Sequence, residues 1–155
     1  MSQGEFTEAL AEIWEETPEI AKRTWQSNPF KDIESLYQAM VSVVNSMSES
    51  EQMALIKAHP DLGSKAKMAD ASVEEQAGAG LDRLSESEYQ RFHSLNQSYK
   101  DKFGFPFIIA VKNHTLESIL EAFSKRLEND RMNEQQQALI EIKKIARLRL
   151  ETLIE

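Results

Sequence analysis

His59, His93 and His114 are the only side chains in this 155-residue, cysteine-free chain whose unperturbed charge changes near neutral pH. One of them stands apart. His59 lies in "KAHPDLGSK", directly before Pro60, where the helical spacing of apolar residues stops. A proline disfavours α conformation in the residue ahead of it, so His59 must close a helix rather than lie along one. Two chemistries fit this placement. A helix-end histidine can hydrogen-bond the last carbonyls, or it can act as a general acid or base, with a reference pKa near 6.5, in a cleft opening at that end.

Ser72, Glu75 and Gln76 stand at i, i+3 and i+4, one face of a helix. Ser72 and Glu75 have capping-box spacing, which alone accounts for them. Yet Ala77, Gly78, Ala79 and Gly80 follow at once, and such small residues let another group approach the backbone. Near the C-terminus, Arg147 and Arg149 alternate with Leu148 and Leu150. Residues two apart point about 200° apart around a helix, so both arginines cannot share one solvated stripe. An inward arginine needs an anion or several acceptors. The segment "FGFPFIIAVKNH" has strand-like composition, but no second convincing strand exists to pair with it. Its peptide groups must bond elsewhere, which makes it a natural place to hold a ligand.

The spacing offers little to a metal. The histidines show no i, i+4 pairing, there is no HExxH, and thiolates are absent, so no metal is expected. "GAG" at 78–80 is no phosphate loop.

The elements positioning these groups read as helices almost throughout. "FTEALAEIWEE" predicts a first short helix. Thr17-Pro18-Glu19 predicts a second, with Thr17 as N-cap and Pro18 at the first helical position. "DIESLYQAMVSVVNSM" predicts a third. Capping boxes at Ser48/Glu51, Ser72/Glu75 and Ser85/Glu88 open three more, and Thr115 opens another. A long helix from about Asn133 to Ile154 ends the chain. The expectation is all-α: one domain over 1–155, a bundle of roughly eight helices, with an extended segment from Phe103 to Lys112 lining the site.

Composition narrows the function classes. Apolar residues make up 41% and charged residues 28%, a globular profile. The net charge of −8 disfavours nucleic acid, whose binding is driven by phosphate neutralisation. No apolar run reaches the 18 residues of a membrane span, and the N-terminus lacks signal-peptide order. With no cysteine, a cytoplasmic location is the expectation.

Taken together, "HPDLGSKA", "SVEEQAGAGL", "FHSLNQSYKDKFGFPFIIAVKNHT", "FSKRLENDR" and "EIKKIARLRL" resemble the OHCU decarboxylases. These convert 2-oxo-4-hydroxy-4-carboxy-5-ureidoimidazoline (OHCU) to (S)-allantoin in urate breakdown. The resemblance spans essentially the whole chain. It implies an all-α fold, cofactor-free decarboxylation and a homodimer. It also implies a catalytic His59 paired with Glu75. Substrate contacts would come from Pro60, Ser72, Gln76, Arg149 and the backbone of Phe107, Ile108 and Ile109. Gly63-Ser64 replace the Ala-Gly that the family commonly carries after HPDL. Two other classes fit the residues without the resemblance: a non-enzymatic helical module that binds a basic partner, and a hydrolase or isomerase of a related cyclic ureide.

Overall fold

Side-chain capping starts most of the helices. The computed structural model describes residues 2–15, 17–59, 61, 80–81, 84–112 and 114–154. Among these are seven α-helices and a short 3-10 helix, with no strand, so the all-α expectation holds. Helix α1 (Gln3–Ala9) opens on a Ser2/Glu5 capping box, and α2 (Glu19–Thr24) runs into the 3-10 turn Trp25–Ser27. Helix α3 (Ile33–Ser46) is capped by Asp32, and α4 (Glu49–Lys57) by the Ser48/Glu51 box. Helix α5 (Glu86–Phe103) opens on the Ser85/Glu88 box, and α6 (Leu116–Arg126) on Thr115. Helix α7 (Arg131–Ile154) begins two residues earlier than its apolar spacing suggests. There the Asp130 carboxylate accepts the Asn133 N–H at 2.8 Å and starts the helix. The expected helix at Ser72/Glu75 lies outside the described residues.

Two expectations fail at the N-terminus. The first helix ends at Ala9 instead of continuing through "AEIWEE". Ile13, Trp14 and Glu15 are all buried, and three consecutive helical residues would fan over about 200°. Leaving the helix lets all three turn inward. Thr17 does not cap α2. Pro18 occupies the N-cap without a side-chain bond, and the Thr17 hydroxyl donates to the Glu15 carbonyl at 2.8 Å. The threonine closes the turn that carries Glu15.

Helix α7 is the axle of the fold, packing on α3, α4 and α5. Beside it sits a knot of aromatic rings. Phe107 stacks on Phe123 with centroids 3.7 Å apart, and Tyr99 meets Phe103, Phe105, Phe107 and Phe123. Helix α5 still includes Phe103 and ends at Gly104, whose φ of 81° is left-handed and suits glycine. The non-helical segment therefore starts at Gly104 rather than Phe103. Its residues 105–109 are all buried, which fits a run of apolar side chains with no solvated face.

Candidate functional site

Helix α4 delivers His59. Its last turn closes at Ala58, and the His59 N–H still reaches the Ile56 carbonyl at 3.2 Å. Asp61 of the same motif forms an ion pair with Lys100 at 2.8 Å, which ties this helix end to α5. The His59 ring is buried, with Nδ1 2.9 Å from the Leu55 carbonyl. A carbonyl can only accept, so in the neutral ring the proton sits on Nδ1 and the basic lone pair on Nε2. Nε2 has no hydrogen-bond partner among the described residues. The helix-end reading and the acid–base reading thus apply to different nitrogens of one ring.

The ring's surroundings set its charge. Burial pushes the His59 pKa down to about 4. The Leu55 carbonyl and the Glu15 carboxylate oppose this, and the Arg149 guanidinium adds to it. His59 is neutral at pH 7 and so is poised first as a base.

Arg149 is the inward arginine of its pair. Its side chain is 5% exposed, Nη2 lies 3.1 Å from Glu15 Oε1, and Nη1 donates to the Glu12 carbonyl at 2.9 Å. Arg147 takes the opposite side. It is one-third exposed and bridges Glu34 and Glu151, with Nε 2.7 Å from Glu151 Oε1. Glu34 and Glu151 together raise the Arg147 pKa. The Glu15 side chain is fully buried, and its pairing with Arg149 fastens the N-terminal turn to α7 across 134 residues of sequence.

The non-helical segment supplies the third part. The Ile108 carbonyl accepts from Arg126 Nη1 at 2.5 Å, and the Ala110 N–H donates to Glu141 Oε1 at 3.0 Å. Arg126 is itself held by Glu134 at 2.8 Å, and Glu134 also accepts the Tyr99 hydroxyl at 2.5 Å and the Asn129 amide at 2.8 Å. Burial, together with its bond to Glu134, raises the Tyr99 hydroxyl pKa far above its usual value.

The structure therefore gathers His59 and Arg149 into one charged neighbourhood and places Phe107, Ile108 and Ile109 in a buried segment braced from α6 and α7. Pro60, Ser72, Glu75 and Gln76 lie outside the described residues. Sequence reasoning missed Glu15, Arg126, Glu134 and Glu141. The last three carried a readable signal, a charge where helical spacing calls for an apolar residue. Arg126 continues the buried stripe Ile119–Phe123 of α6, and Glu134 and Glu141 interrupt the stripe of Ala138, Ile142 and Ile145 on α7. No group of three or more histidine, aspartate or glutamate side chains able to hold a metal occurs among the described residues. No described helix is long and apolar enough to cross a membrane.

Fold and site together define an all-helical protein with a buried histidine next to an arginine–carboxylate pair. The chain belongs to the OHCU decarboxylase family, whose model matches residues 1–151. It is 49% identical over 148 residues to a 2-oxo-4-hydroxy-4-carboxy-5-ureidoimidazoline decarboxylase of Halalkalicoccus jeotgali, covering 96% of this chain and 84% of that protein. A crystal structure of OHCU decarboxylase in the presence of (S)-allantoin superposes with a TM-score of 0.78 at 27% identity, covering 94% of this chain and 96% of the other. A crystal structure of (S)-allantoin synthase gives 0.81 at 30% identity; all of this chain is covered, and it spans about half of that one, 51%.

Proposed function

We propose that this chain is a cofactor-free decarboxylase that converts OHCU to (S)-allantoin in urate degradation. The observation that carries the reading is His59, whose Nδ1 is pinned to the Leu55 carbonyl and whose ring lies in the field of the buried Arg149–Glu15 pair. The relatives' names supply the substrate.

In OHCU the carbon that loses CO₂ also bears a hydroxyl and adjoins a ring C=N. When the C–CO₂ bond breaks, its electron pair moves toward the C=N nitrogen; the hydroxyl becomes the ring carbonyl as its proton passes to that nitrogen, and the ureido-bearing carbon takes up one proton on a single face. The chain must bind the anion, accept developing charge and move protons. Arg149 is the anion binder, a role for which its planar fork is better suited than an ammonium. Peptide N–H groups near Ile108 and Ile109 stabilise developing oxyanion charge, and the Phe107 backbone completes that edge. Neutral His59 takes up a proton at Nε2 and can return it, a contribution of roughly 10²–10⁴-fold. Glu75 holds ring or ureido N–H groups and pairs with His59 once Nε2 carries a proton, with Pro60, Ser72 and Gln76 completing the pocket. A homodimer, a single domain over 1–155, a cytoplasmic location and freedom from any metal belong to the same reading. They rest on the resemblance and the composition.

The test is ultraviolet loss of freshly generated OHCU, followed by the chirality of the product. Loss faster than the spontaneous decay, giving (S)-allantoin, is expected. Spontaneous-rate decay to racemic product would instead favour a binding module. A product that keeps its carboxyl group would favour an isomerase.

A further inference from the structure

A buried segment outside any helix or sheet must find partners for each peptide group. Here two partners are charged side chains on alternate residues: Arg126 Nη1 holds the Ile108 carbonyl at 2.5 Å, and Glu141 Oε1 accepts the Ala110 N–H at 3.0 Å. The two clamps hold the peptide groups on either side of Ile109 and leave the Ile109 peptide edge between them. Ile109 is buried, yet neither its N–H nor its C=O has a hydrogen-bond partner among the described residues. A cyclic ureide carries an adjacent N–H and C=O along its ring, the complement of such a peptide edge.

Glu141 is built to be stiff. It is buried, and its other oxygen accepts from Gln137 Nε2 at 3.0 Å and Lys144 Nζ at 2.9 Å, so donors from its own helix fix its rotamer. Gln137 and Lys144 lie one turn to either side of it. Arg149 stands eight residues further along the same helix, about 12 Å at 1.5 Å per residue. One rigid rod thus sets the spacing between the segment's clamp and the proposed anion binder.

We propose that Glu141 is a positioning residue for the reaction: it fixes the register of the 105–111 segment so that the Ile109 peptide groups meet the ureide ring. This rests on the decarboxylase reading. A tie serving stability alone would leave substrate affinity untouched in protein that remains folded.

The experiment compares Glu141→Gln, which keeps the acceptor and the shape, with Glu141→Met, which keeps the length and removes the acceptor. Four quantities are read at a temperature where all proteins are folded: Ala110 amide hydrogen exchange, KM and kcat for OHCU, and the Kd of (S)-allantoin. Glu141→Met is expected to speed Ala110 exchange and raise both KM and Kd by about tenfold or more, with kcat affected less. Glu141→Gln should stay within about threefold of wild type, the rescue that a preserved acceptor predicts. Should Glu141→Met not fold, Lys144→Met loosens the same carboxylate from an exposed position and should raise KM and Kd by about two- to fivefold. A Glu141→Met protein with wild-type KM and Kd, or a Lys144→Met protein with both unchanged where Glu141→Met does not fold, overturns the inference and leaves the decarboxylase reading standing. A wild-type protein that leaves OHCU to its spontaneous decay refutes the decarboxylase reading, and this inference with it.

Discussion

Arg126 and Arg149 each bury a guanidinium against a glutamate that water does not reach, at 2.8 and 3.1 Å. The two pairs are chemically alike and differently surrounded. Around Arg126 the network is built from neighbouring elements, and one buried nitrogen, Nη2, has no partner among the described residues. Glu134 is shared among Tyr99, Asn129 and Arg126, and the guanidinium lies 4.4 Å from the Phe107 ring centre. Its partners lie close in sequence, and its product is shape: a fixed course for the segment from Gly104 to Val111. Around Arg149 the network reaches across the fold to Glu15 and adjoins a titratable ring whose basic nitrogen is left without a described partner. Burying an ion pair is weak evidence for stability, since desolvation consumes much of the attraction. The same expense can be understood as positioning in one place and as a preset electric field in the other.

That contrast can be broken from either side. The largest effect is expected at the second cluster. His59→Asn should cost a hundredfold or more in turnover, on the order of a positioned acid–base group, while far-ultraviolet circular dichroism stays native. More than about a tenth of the wild-type rate would show that proton transfer through His59 is not the main contribution. Next come the two arginines. Arg149→Lys keeps the charge and loses the fork, and should lower kcat/KM about tenfold or more, whereas Arg147→Lys, on the exposed side, should change it by less than about twofold. If Arg147→Lys is the damaging change, the inward arginine is not the working one.

The pH dependence of folding sharpens the comparison. The folded His59 pKa of about 4 lies below the ordinary value near 6.5, so between these pH values the unfolded chain binds the proton and the folded one does not. Stability therefore falls as pH drops from about 6.5 to 4, by an amount on the order of 3 kcal/mol from this group. Denaturant titrations across that window should show the slope in wild type and a shallower one in His59→Asn. Equal slopes would mean that the imidazole is not buried neutral.

The smallest effect belongs to the first cluster. Tyr99→Phe removes one of the three donors on Glu134, and should lower stability by about 1 kcal/mol. Its kcat/KM should stay within about twofold of wild type in protein that remains folded. A large kinetic loss at unchanged melting temperature would erase the distinction between the clusters.

Much of this arrangement could be read before any fold was known, because much of it is local chemistry. The caps at Ser48, Ser85 and Thr115 act within three residues of themselves, and each starts a helix where its pattern places it. The break at His59-Pro60 and the lone β-branched run without a strand partner are local too. So is the alternation of Arg147 and Arg149, which forces one of them inward. Glu15 was not legible. It reads as one more acidic residue after "EIW", and nothing nearby announces a partner 134 residues away. The same tertiary demand overrode helix propensity there, ending α1 at Ala9 so that Ile13, Trp14 and Glu15 could all be buried. Arg126, Glu134 and Glu141 fall between these cases. Their place on apolar stripes marks them as buried, but the peptide groups that Arg126 and Glu141 hold emerge only once the segment lies against α6 and α7.

The contrast between a cluster that fixes shape and a cluster that carries chemistry rests on one ring. It is tested most directly by nitrogen-15 NMR of His59 as pH is lowered. The expected result is a neutral imidazole with its proton on Nδ1 and a bare Nε2 from pH 7 downward, protonating with a midpoint near 4. A ring that titrates near the ordinary value of about 6.5, or one that carries its neutral-state proton on Nε2, would contradict the account.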